Sequence, residues 1–136
     1  MSSKISIVKE KSTPSYSAYL RSDGIVHFEL KDIKDYTIEI VNSQTETLKE
    51  FGGGKQLSIL MTFVSYNSPN DETMKYASKK ENIRFAKAIA VVVDSLSMRL
   101  GVNFFLTFFR PELPTQLFNS KDTAIEWLRK KNEELK

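Results

Sequence analysis

Apolar positions along the chain change period twice. Tyr16, Ala18 and Leu20 alternate with polar residues, Asp23-Gly24 interrupts, and Val26, Phe28 and Leu30 resume the alternation. A period of two on either side of an Asp-Gly pair predicts a β-hairpin. His27 then falls on the opposite face, beside Ile25 and Glu29, where a lone strand histidine is more often a surface or packing residue than a catalyst. Residues 1–14 are largely polar and are expected to form a flexible segment up to Pro14. A short strand around Ile5, Ile7 and Val8 is the alternative.

From Lys31 the period lengthens. Ile33, Tyr36, Thr37, Ile40, Val41, Gln44, Leu48 and Phe51 trace one helical face, with Asp32 as the expected N-cap. Gly52-Gly53-Gly54 ends that helix. A phosphate-binding glycine loop leads from a strand into a helix and closes with Lys-Ser/Thr, whereas these glycines lead from a helix into a strand. Two nearly continuous apolar runs, 56–64 and 85–94, read as buried parallel strands, and 114–118 as a shorter third. Between the first two, Asn70 or Asp71 caps a helix whose inner face is Met74, Ala77 and Ser78. Ser120 caps the last helix, with Ala124, Ile125, Leu128 and Leu135 inward and Trp127 at the rim.

The segment after Val93 allows two readings. A short helix stopped by Gly101 and followed by a strand is one. The preferred one is a continuous helix to about Phe108, because parallel strands need a crossover and one internal glycine costs about 1 kcal/mol. The whole reads as an α/β domain over 15–136, a mainly parallel sheet opened by an N-terminal β-hairpin, with four helices.

Composition narrows the function classes. Twenty basic residues stand against 17 acidic ones, and the densest basic run, Lys75 to Lys87, reads as a solvated helix face; no nucleic-acid partner is expected. The chain has no cysteine and one histidine, which removes disulfides, thiolate chemistry, multi-histidine metal sites and a second-histidine relay. Neither a metal nor a cofactor is expected. No stretch approaches the roughly 18 apolar residues of a membrane span, and a cytoplasmic location is expected.

The hairpin with DGIVHFEL, the junction AIAVVVDSLSMRL, the following NFF and the closing PTQLFNSKDTAIEWL resemble the STAS-like fold of the anti-sigma-factor antagonists. The likeness is greatest to a bacterial SpoIIAA-like, or STAS/CRAL-TRIO-like, branch and covers most of the chain from about residue 16. It implies a non-enzymatic regulatory module. In the antagonists a strand ends in Asp-Ser, and phosphorylation of that serine controls partner binding. Asp94-Ser95 matches the pair, but Leu96-Ser97-Met98 replaces the small residues that follow it there.

Open parallel sheets place functional groups beyond the carboxyl ends of their strands. That edge would gather Ser65, Tyr66 and Asn67 with Asp94 and Ser95, and Arg99 one turn on, as a candidate anion or phosphorylation site. Asp94 as a plain helix cap is the simpler alternative. In the helical reading Leu96, Leu100, Phe104 and Phe108 form a stripe packed on the sheet. Met98, Val102, Phe105 and Phe109 form a second, which needs a neighbour. A protein-interaction surface, including a homodimer, is the expected use. Binding of a hydrophobic small molecule, lipid or peripheral membrane surface is the alternative, and an enzyme comes third.

Overall fold

The structure is a computed structural model and describes residues 5–32, 36–64, 71–93, 95–96, 99–100, 103 and 113–134. Among them lie six strands, β1 (Ile7–Ser12), β2 (Tyr16–Arg21), β3 (Ile25–Leu30), β4 (Leu57–Phe63), β5 (Ala86–Val92) and β6 (Thr115–Phe118). Three helices accompany them, α1 (Ile38–Gly52), α2 (Asp71–Ser78) and α3 (Lys121–Glu134), with a 3-10 turn at Lys80–Ile83. The strands form one mixed sheet in the order β1-β2-β3-β4-β5-β6. β1 to β3 are antiparallel neighbours, and β3 to β6 are parallel neighbours.

The hairpin turns where Asp23-Gly24 predicts it. Gly24 has φ 83°, a left-handed conformation cheap only for glycine. Alternation then divides the sheet. On one face Tyr16, Ala18, Val26, Phe28, Leu30 and Ile59 pack with Ile40, Val41, Leu48 and Phe51 of α1. Tyr16 meets Phe28 edge to face, ring centroids 5.3 Å apart. On the other face Ile25, Leu60, Ala88 and Ala90 pack with Ala124 and Leu128 of α3. The alanines leave little side chain between α3 and β5, so a second helix fits closely there.

Three expectations are corrected. Residues 7–12 form β1 where a loose segment was expected, so the short-strand alternative describes them; the free edge of β2 supplies a hydrogen-bonding partner that no periodicity announces. The first long helix starts at Ile38, capped by Thr37, whose side chain accepts from the Ile40 N–H, and not at Asp32. Thr37 has the extended backbone an N-cap requires. Leu96 and Leu100, expected on the sheet, are 71% and 60% exposed. Leu96, Arg99, Leu100 and Asn103 are helical; the rest of the expected fourth helix lies outside the described residues, as do Ile33 and Leu135.

Candidate functional site

Parallel register sets the carboxyl edge. Met61 pairs with Val91, and Val91 with Leu117, so β4, β5 and β6 end at nearly one level. Beyond β5 the Val93 N–H still donates to the Phe118 carbonyl at 2.8 Å. Ser95 is exposed, and its carbonyl accepts from the Arg99 N–H at 3.0 Å, forming a helical turn. The Arg99 guanidinium donates to the Asn119 side chain, just past the end of β6. Of the expected anion site, Ser95 and Arg99 are therefore brought to the same edge. Asp94, Ser65, Tyr66 and Asn67 lie outside the described residues, and so do Met98, Val102, Phe105 and Phe109.

Among the described residues this edge also presents apolar side chains. Leu96 and Leu100 sit one turn apart, and exposed Asn103 continues the same side of the turn. Val64, directly after β4, is 64% exposed at the same end of the sheet. With Arg99 turned to Asn119, the two leucines take the outward positions.

On the second face lies His27, which the alternation places there without disclosing its partners. The His27 Nε2 lies 2.7 Å from Thr62 Oγ1, and its ring lies 5.9 Å from that of Tyr19. Burial, aided by the charges of Lys121 and Arg21, lowers His27 to about pKa 4. The imidazole is neutral at neutral pH. Nearby, Arg21 clasps Asp23 at 2.8 and 3.1 Å, and Arg129 of α3 reaches the same carboxylate at 3.3 Å. Burial alone would raise Asp23, but Arg21, the Ile25 N–H and Arg129 more than offset this and hold it below the usual carboxylate value. Arg21 and Arg129 also line an open depression with Asp122, Ile125 and Glu126. The signal for the clasp was present in part, since Asp23-Gly24 marks the turn. Nothing in the sequence aligns Arg129 with it.

On the first face the Tyr16 hydroxyl lies 2.7 Å from Ser43 and 2.8 Å from Thr47, tying β2 to α1. Tyr36 donates to Gln44 Oε1, and burial raises the Tyr36 pKa well above the usual phenol value. Among the described residues no group of three or more His, Cys, Asp or Glu side chains could hold a metal ion. No helix among them is long and apolar enough to cross a membrane.

The family model described as a domain of unknown function, DUF7793, matches residues 19–132. The chain belongs to that family. No curated protein and no solved structure matches it.

Proposed function

We propose that this chain, as a member of the DUF7793 family, is a non-enzymatic interaction module of the STAS-like type that engages a protein partner through the carboxyl edge of its sheet. The observation that carries the reading is the exposure of Leu96 and Leu100 one turn apart, with Val64 exposed at the same end. Grouped exposed apolar side chains favour association, because covering them removes apolar surface from water. The STAS-like part of the reading rests on the element order, a hairpin followed by strands alternating with helices. The exposure of Ser95 at the head of this turn supports phosphorylation there as a means of altering binding without entering the core.

A photo-crosslinking residue at position 100, introduced in the native host, tests this. A recurrent adduct with one protein, lost on Leu96→Ser and weakened on Ser95→Asp, is the expected result. A lipid or small-molecule adduct would favour the hydrophobic-ligand alternative. Adducts no different from those of the same residue placed at exposed Glu81 would overturn both readings.

A further inference from the structure

The edge strand β1 is attached differently from every other strand. Five of its six residues are exposed and Lys11 is half-exposed, and none belongs to an apolar cluster. Ile7 and Val8, 52% and 57% exposed, spend their apolar surface on solvent. A register irregularity between Ile7 and Lys9 interrupts the ladder. Side-chain ties are few and polar. Lys11 meets exposed Glu50 at 3.2 Å, Lys31 reaches Ser12 Oγ and the Thr13 carbonyl, and Ser22 Oγ accepts from the Ser6 N–H.

β2, in contrast, is held without β1. Tyr16 and Ala18 are fully buried, the Tyr16 hydroxyl bonds α1, and β2 pairs with β3 from Tyr16 to Leu20. The family match begins at Tyr19, so β1 lies outside it. We propose that β1 is a displaceable strap over the edge of β2, and that β1 of a second copy of this chain takes its place by exchange.

Charge and hydrogen-bond parity favour exchange over simple addition to the outer edge. The Thr13 N–H bonds the Tyr16 carbonyl, so alternation directs the backbone groups of Lys9 and Lys11 to β2 and those of Glu10 and Ser12 outward. Antiparallel pairing of two outer edges must match inward with inward and outward with outward residues. The two registers that pair three residues of Lys9–Ser12 with their copies each set a lysine against a lysine, and one also sets Glu10 against Glu10. Directly opposed like charges disfavour such pairs. Exchange avoids them, because each β1 regains the contacts it has now and only the connector Thr13-Pro14-Ser15 changes. This device is independent of the carboxyl-edge reading.

A reversible clip tests it on the full chain. Ser12 and Ser17 face each other across a pair that makes no ladder bonds, and the protein has no cysteine to interfere. In wild type, the Lys9, Lys11, Ala18 and Leu20 amides should exchange hydrogen at least about 100-fold faster than amides in the β3–β4 ladder. In the Ser12→Cys/Ser17→Cys variant, oxidation should slow them at least about tenfold and reduction should restore them. A labelled acetyl peptide of residues 5–13, supplied at millimolar concentration, should be taken up by wild type and the reduced variant but not by the oxidised one. Concentrated wild type should form a dimer that the oxidised variant cannot form. Protection of β1 equal to that of β3–β4, or no uptake by wild type, would overturn the strap. Peptide uptake without any dimer would overturn the second copy as its occupant. If the cysteine variant does not fold, the wild-type exchange, uptake and dimer measurements still decide.

Discussion

The two packed faces of this sheet are built by different means. Toward α1 the interface is made of large side chains, with Tyr16, Phe28, Leu30, Leu48 and Phe51 all buried. Toward α3 it is made of alanines at 88, 90 and 124 around Ile25, Leu60 and Leu128, and polar ties complete it. Those ties are Arg129 on Asp23 and Ser58 Oγ donating to Asn132 Oδ1 at 2.5 Å. The first face draws its stability from buried apolar area. The second draws on close approach and on charges fixed at its margin. Each arrangement should fail in its own way.

Phe28→Ala should have the largest effect. It removes a fully buried ring from the α1 face, and a loss of about 3–5 kcal/mol in urea denaturation is expected. Ala90→Leu attacks the other face by crowding α3 and should cost about 1–3 kcal/mol. Trp127, which packs 5.6 Å from Phe118, should report that change by fluorescence, while an equivalent loss with unchanged Trp127 emission would contradict it.

Acid should act mainly on the second face. His27 is held at about 4 against 6.5 in the unfolded chain, so the native state binds fewer protons between those values. Its contribution is fully present above about pH 6.5, is lost as pH falls toward 4, and levels off below. Allowing for the solvent-facing part of the ring, about 1–2 kcal/mol is expected over that window. His27→Gln should flatten it, measured by urea midpoints at stepped pH. Asp23, lowered by its arginines, adds a loss at lower pH still, as the carboxylate protonates. The smallest effect should come from Arg129→Ala. Its side chain is half exposed, Arg21 keeps Asp23 paired, and a change of about 0.5–1 kcal/mol in thermal unfolding is expected.

The same contrast explains what the sequence could disclose. Period-two alternation around Asp23-Gly24 gave β2 and β3, and the continuous apolar runs gave β4 and β5, because those residues are buried and burial leaves a compositional trace. α1 was legible in its buried face from Ile40 to Phe51 but not in its start. Asp32 and Thr37 are both good caps, and only tertiary packing chooses between them. β1 left only the apolar Ile5, Ile7 and Val8 as a trace, since a strand exposed on both faces has no period to show. His27 with Thr62 and Asp23 with Arg129 join residues 35 and 106 positions apart through sheet register and helix docking, which no local pattern encodes. At the carboxyl edge, Ser95 and Arg99 were named from the strand-to-helix pattern. The exposure of Leu96 and Leu100 was not foreseen, because a helical stripe does not say which side of it meets the sheet.

Strand order in the sheet equals strand order in the chain. Every new strand can therefore join the edge left by its predecessor, and no loop has to close around a gap awaiting a later segment. Average loop closure is short for a sheet that is parallel over four strands, which favours quick folding and growth in the direction of synthesis. A long-range step remains for the end. α3 must swing back across the finished strands until Arg129 finds the turn made 106 residues earlier. Refolding followed by Trp127 should thus report the final event, after the antiparallel hairpin has already begun to protect its amides.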